Sequence, residues 1–184
     1  SDEEIENKIV ASIRECFKDN IHGVSSVYIQ VIKDRQGSAN TALPRHIDGS
    51  SHIYETLMDS SLKFRISPLS FFQINTSGAE ILYKKIIEFT NCTQNTIILD
   101  ICCGTGTIGI CLAKSVKHVY GIEINKDAIE DAKYNAEMNN ISNIDFYCGS
   151  AEKMIRNVFS KIPSDCDDVV AIIDPPRCGL TSDF

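Results

Sequence analysis

The sequence predicts an α/β chain in two parts. Residues 1–75 form a small α+β unit of one helix plus antiparallel strands, and residues 76–184 a parallel, doubly wound sheet. Three observations carry this reading. After Asn75, apolar runs of strand length alternate with helical stripes. A glycine-rich turn containing Gly104, Gly106 and Gly109 stands between one such strand and the helix that follows. Before Asn75, a single helical stripe is followed only by short strand-like runs. Strands apolar on both faces that alternate with helices form a parallel sheet covered on two sides.

The elements follow in order. Residues 3–18 place Ile5, Ile9, Ile13, Cys16 and Phe17 on one helical stripe, with Glu3, Glu4 and Glu6 in the first turn, where the helix dipole favours acids. Strand-like runs lie at Val24–Lys33, Ser51–Met58 and Leu62–Ser67, and the polar, Gly-containing stretch Arg35–Ser50 reads as a long loop. Thr76 or Ser77 caps a helix whose Leu82, Ile86 and Phe89 share a face. Thr96–Ile101 is an apolar strand with an acid near its end, and the helix after the glycines runs to about Ser115. Val119–Ile124 is a strand, and Asp127–Asn139 a helix with Ala128, Ala132 and Ala136 small enough to lie close on a sheet. Ile144–Cys148, Ala151–Ser160 and Val169–Asp174 complete the pattern as strand, helix and strand.

Composition narrows the class. Hydrophobic residues make up 43% and charged residues 23% of 184, enough for a packed core, which excludes a disordered or collagen-like chain. No run approaches the roughly 18 apolar residues of a membrane span, and Ser-Asp-Glu-Glu at the start resembles no targeting segment, so a soluble protein is expected. A net charge of −7 and a pI near 5.1 argue against gripping nucleic acid by bulk charge, while leaving room for an enzyme whose RNA contacts come from another module. The eight cysteines contain no C-x-x-C pair, and most sit in apolar runs. They read as reduced thiols of an intracellular protein, cytoplasmic or nuclear, with no metal site.

The sharpest signal is Asp100-Ile-Cys-Cys-Gly104-Thr-Gly106-Thr-Ile-Gly109, a complete G-x-G-x-x-G between strand and helix. Glu123 ends the next strand, placed to accept from both hydroxyls of a ribose. This much fits a dinucleotide or S-adenosylmethionine equally. Asp100, four residues before the first glycine, would repel a pyrophosphate and suits a cofactor carrying an ammonium and a sulfonium. Asp174-Pro175-Pro176-Arg177 at the tip of the fourth strand reads as the rigid substrate-side loop of a nucleobase or amine methyltransferase.

These segments, with Ser70-Phe-Phe-Gln-Ile-Asn75, Gly121-Ile-Glu-Ile124, Ala128-Ile-Glu-Asp-Ala132 and Asp174-Pro-Pro-Arg-Cys-Gly-Leu180, stand in an order and spacing that resemble the RNA (uracil-5-)-methyltransferase family, most of all its eukaryotic tRNA branch. Acid-Pro-Pro also occurs in amino-methyltransferases, which usually put an aromatic after the prolines; Arg177 and Gly179 favour the uracil family. The resemblance implies a Rossmann-like class I methyltransferase sheet, here its first four strands, with S-adenosyl-L-methionine as cofactor and RNA, above all tRNA, as partner. It also implies cofactor roles for Gln73, Asp100, Cys102, Gly104, Thr107, Glu123 and Asp174, and makes Arg177 a substrate-side candidate. Cys102 and Cys103 read as wall residues, not nucleophiles.

One departure stands against these matches. In the family, a cysteine in a Ser-Cys-Asn type motif on the next strand attacks C6 of uracil, C5 takes the methyl group, and a downstream carboxylate removes the C5 proton. No Ser-Cys-Asn occurs before Phe184, and Cys178 is not at the matching position. The resemblance therefore implies a C-terminally truncated piece with no catalytic residue of its own, the nucleophilic cysteine and the base being expected after Phe184, and this piece is expected to be inactive alone. Two other readings remain at this point: a non-catalytic module that binds RNA or protein through an idle methyltransferase fold, and an NAD-dependent oxidoreductase. The apolar run Val169–Ile173 is further expected to pair edge to edge with another chain.

Overall fold

The computed structural model describes residues 2–18, 23–31, 43–175, 177, 179 and 180. The chain divides into two compact units, residues 1–53 with 67–69, and residues 54–66 with 70–184.

The first unit contains helix α1 (Asp2–Phe17) and the antiparallel pair β1 (Ser26–Ile29) and β2 (Arg45–Gly49), with a register shift between Val27 and Tyr28. Strand β2 lies inside the stretch expected to be a loop. Its sequence Arg-His-Ile-Asp-Gly buries only Ile47, so no alternating apolar pattern marks it, and its pairing with β1 makes it a strand. The stripe expected on α1 is also rotated. Ile5 and Ile9 are exposed and Val10 is buried, because the helix meets β2 through the next face round, where Arg14 Nε donates to the Ile47 carbonyl at 3.2 Å. Residues 32–33 of the expected strand Val24–Lys33 lie outside the described residues.

The second unit opens at Tyr54 within β3 (Ile53–Leu57), which pairs with β4 (Leu62–Ile66), and continues with α2 (Thr76–Thr90). The division of the chain therefore falls ahead of the expected boundary near residue 75. The cause is side-chain pairing: Asn135 of a later helix and Asn139, which caps that helix, hydrogen-bond the backbone of Arg65 and Lys63 and bind β4 to this unit. Helix α2 is capped by Asn75, whose side chain accepts from Gly78 N–H at 3.0 Å, and not by Thr76 or Ser77. Its buried face is Ala79 and Tyr83, while Leu82 and Phe89 are exposed.

Then come β5 (Ile97–Ile101), α3 (Thr107–Ala113), β6 (His118–Glu123), α4 (Lys126–Met138), β7 (Ile144–Cys148), α5 (Ala151–Phe159) and β8 (Val169–Ile173). The four strands form one parallel sheet in the order β7-β6-β5-β8. Alternate residues feed two cores. Ile98, Val119, Ile144 and Phe146 pack with residues of α2, α3 and α4; Ile97, Leu99, Ile101, Tyr120 and Ile122 pack with Ala151 and Val158 of α5. Helices thus cover both faces, the doubly wound arrangement. All five residues of β5 are buried, whereas Val169 and Ile173 of β8 are 40% and 47% exposed.

Candidate functional site

The order of the sheet reverses at β5: the chain moves from it to β6 and β7 on one side, then returns to β8 on the other. Loops leaving the carboxyl ends of strands on either side of such a point diverge and leave a crevice. A cavity of about 760 Å³ lies there, lined by residues after β5, β6, β7 and β8 and by the segment before α2.

The glycine turn forms its floor. Gly104 has φ +53°, and a Cβ built on it would meet nothing within 4 Å, so the open space above it belongs to the cavity. Gly106, at φ +77°, serves packing instead: a Cβ there would come within 2.8 Å of Phe146 Cζ. One glycine admits a ligand, the other a neighbouring ring.

Glu123 stands at the end of β6. Its Oε2 accepts from Gly104 N–H at 3.1 Å, and its Oε1 from Asn125 N–H at 2.8 Å. Asn125 in turn caps α4, accepting from the N–H groups of Asp127 and Ala128. The carboxylate is therefore held on the glycine turn by a β6–α4 corner, half-buried, with further lone pairs on both oxygens. A pair of vicinal hydroxyls matches that acceptor geometry.

The electrostatics favour a cation. Glu123, Glu152 and Asp174 all line the cavity, with Arg177 beside them. Asp100 lies beneath, 1% exposed; its Oδ2 accepts from Gly109 N–H at 2.9 Å and its Oδ1 has no hydrogen-bond partner. Burial pushes its carboxyl up to about 7, the Gly109 N–H opposes this, and the negative charges of Asp174 and Glu123 add to it. A buried, half-satisfied carboxyl under an acidic cavity disfavours a pyrophosphate and suits a positively charged group.

Gln73, Cys102, Gly104, Glu123, Asp174 and Arg177 line one cavity. Asp100 and Thr107 do not reach its lining. Asp100 lies buried with one oxygen on the N–H of Gly109, and Thr107 is buried with its hydroxyl 3.1 Å from that of Thr105. Phe71, Ile124 and Leu180, which stand inside the quoted segments without an assigned role, also line the cavity, as do Ser150 and Glu152, which sequence reasoning missed. Ser150 and Glu152 follow β7, and the rule that ligands gather at carboxyl ends applies to every strand of the sheet. Pro176 and Cys178 lie outside the described residues.

Among the described residues, the thiols of Cys102, Cys103 and Cys111 are all held towards the protonated form. Cys102, strained at φ +63°, has its thiol pushed up by burial and then by Glu123, Asp100 and Asp174. Burial, then Asp100 and Glu123, raise Cys103 further, and Cys111 is pushed up to about 12 by burial and Asp100. A thiol held protonated in an acidic site is a poor nucleophile. Among the described residues no cluster of His, Cys, Asp or Glu is arranged to hold a metal ion.

A family model described as a methyltransferase domain matches residues 93–178. Human tRNA (uracil-5-)-methyltransferase homolog A is 44% identical over 161 residues, which is 87% of this chain and 25% of the human protein. Human tRNA (uracil-5-)-methyltransferase homolog B is 43% identical over 158 residues, 86% of this chain and 31% of that protein. The crystal structure of Pyrococcus abyssi tRNA (uracil-54, C5)-methyltransferase in complex with S-adenosyl-L-homocysteine superposes with a TM-score of 0.64 at 32% identity, covering 89% of this chain and 38% of that one. The chain therefore spans between a quarter and a third of the length of these human relatives. With more than two residues in five shared with them over most of its own length, the chain belongs to the RNA (uracil-5-)-methyltransferase family, in its eukaryotic tRNA branch.

Proposed function

We propose that this chain carries the S-adenosylmethionine site of an enzyme that methylates C5 of uridine in RNA, with tRNA as the substrate and 5-methyluridine as the product. The observation that carries the reading is Glu123, pinned by two N–H groups beside the open space over Gly104 in an acidic cavity. When bound, the cofactor supplies an electrophilic methyl group on a sulfonium. Glu123 would accept from its ribose hydroxyls, and Gly104 would allow its close approach. Asp174 and Gln73 would line its methionine end, and Asp100 beneath would favour its positive charge. Cys102 would be wall. Arg177, at the rim, would face the RNA.

The NAD reading is disfavoured by the same acids, which would oppose two phosphates. Titration calorimetry with S-adenosylhomocysteine and with NAD separates the two: the first should bind and the second stay silent. Preferential NAD binding would overturn the assignment. An idle RNA- or protein-binding module would show neither, and intact Glu123 geometry argues against it.

No thiol described near the cavity is poised to attack uracil, so we place the nucleophilic cysteine and the base after Phe184, and residues 1–184 alone would bind cofactor without transferring its methyl group. A second copy of the chain is the partner proposed for the β8 edge, whose Val169 and Ile173 are exposed and whose described pairing is with β5 alone. No helix among the described residues is long and apolar enough to cross a membrane. An intracellular, cytoplasmic or nuclear, setting suits the free cysteines among the described residues.

A further inference from the structure

Helix α4 contributes nothing to the cavity lining, yet it buries two polar side chains completely, Asp131 and Asn135. A buried carboxylate is costly unless other groups satisfy it. Asp131 Oδ1 accepts from Arg65 Nε at 2.7 Å, and its Oδ2 accepts from Ser70 Oγ at 2.9 Å. The Arg65 guanidinium also lies over the Tyr134 ring, 4.0 Å from its centroid. Ser70 stands one residue before Phe71 and three before Gln73, both of which line the cavity.

The next polar residues along this face behave as a substitute strand. Asn135 Oδ1 accepts from Arg65 N–H at 2.7 Å, and its Nδ2 donates to the Arg65 carbonyl; Asn139 repeats both bonds with Lys63. Four residues of helix rise about 6 Å and two of strand about 6.6 Å, so amides at i and i+4 reach alternate residues of β4. Asn135 Nδ2 also donates to the Thr105 carbonyl in the glycine turn, at 3.2 Å. One helix face therefore holds both the segment carrying Gln73 and the turn carrying Gly104.

We propose that Asp131 is a positioning residue for the cofactor cavity, which through Ser70 and Arg65 fixes the Phe71–Gln73 segment as one of its walls. This inference rests on the cofactor reading above. Asp131 touches no ligand itself. Its effect would pass through the Ser70 hydroxyl, and the bond at Asn139, farther along the helix, supplies a comparison that stabilises β4 without touching either wall.

The test uses Ser70→Ala, Asp131→Asn and Asn139→Ala, with calorimetric affinity for S-adenosylhomocysteine read well below each unfolding midpoint. Ser70→Ala and Asp131→Asn should weaken binding by about five- to tenfold, the loss of one charge-assisted hydrogen bond that orders a wall. Asn139→Ala should lower the unfolding midpoint and leave affinity within about twofold of wild type. Unchanged affinity in Ser70→Ala would overturn the proposal, as would an equal loss in Asn139→Ala, which would mean that affinity merely follows stability. If Asp131→Asn fails to fold, Ser70→Ala decides. Amide hydrogen exchange of Phe71–Ile74 in the ligand-free chain gives a readout independent of the cofactor: it should accelerate in Ser70→Ala and not in Asn139→Ala. A wild-type chain that binds no S-adenosylhomocysteine would sink the cofactor reading, and the exchange result would still judge the clamp.

Discussion

Replacing Glu123 by alanine removes an acceptor whose two oxygens are already oriented by Gly104 and Asn125 N–H groups, at 3.1 and 2.8 Å. Because the carboxylate is fixed before the ligand arrives, little ordering is lost on binding, and its bonds to ribose hydroxyls keep most of their charge-assisted strength. Losing them should cost about 1.5–3 kcal/mol, a weakening of S-adenosylhomocysteine binding by roughly 10- to 150-fold. The stability cost should be smaller, because water replaces a half-buried carboxylate at both N–H groups and only the support of the α4 cap at Asn125 is weakened, by about 1 kcal/mol or less. Titration calorimetry of wild type and Glu123→Ala with S-adenosylhomocysteine and with its 2′,3′-dideoxy analogue separates the contributions. The analogue should bind wild type weakly and gain little further loss in the variant. Equal losses for both ligands would show that Glu123 supports the loop and does not meet the ribose, and unchanged affinity for the parent ligand would refute the site.

Asp100→Asn tests the buried carboxyl. Its pKa is raised from 3.8 to about 7 in the folded chain, so the neutral form is the stabilised one: its contribution is full below about pH 4 and is lost as pH rises through about 7. Denaturant unfolding should show the variant more stable than wild type at pH 8, by an amount on the order of 1.4 kcal/mol per pH unit across that window, with the gap closing towards pH 4. The purified 184-residue chain should transfer no radiolabelled methyl group to uridine-containing tRNA above a no-protein control, and incorporation would show that a nucleophile lies within it. Light scattering at high concentration should detect self-association, and Val169→Lys, which places a charge at an exposed position of the β8 edge strand, should reduce it; a monomer at every concentration would refute pairing through that edge.

Local stereochemistry made much of this protein legible in one dimension. The helices and strands after Asn75 appear within a residue or two of their expected positions, because alternating periods and apolar runs are local signals. Glu123 and Asp174 were legible for a related reason: a residue at the carboxyl end of a parallel strand points towards the crevice whatever the rest of the chain does. Other features depended on partners far away in sequence. Strand β2 has one buried residue and exists through its ladder with β1. The true faces of α1 and α2 follow from what each helix meets, not from where its largest residues fall.

The division within the site has the same origin. From its position, Asp100 reads as a ligand-facing acid, but the N–H of Gly109, nine residues on, turns it under the floor. Asp131 stands inside the Ala128–Ala132 segment with no role marked by the sequence, and its meaning comes from Arg65 and Ser70, more than sixty residues earlier. The sequence by itself determined which segments after Asn75 become strands and helices and which residues stand at the tips of those strands, since these depend on neighbours a few bonds away. Only the tertiary structure decided which polar groups face the cavity and which lie behind its lining, because a buried donor or acceptor must be satisfied by whichever partner the fold brings within about 3 Å.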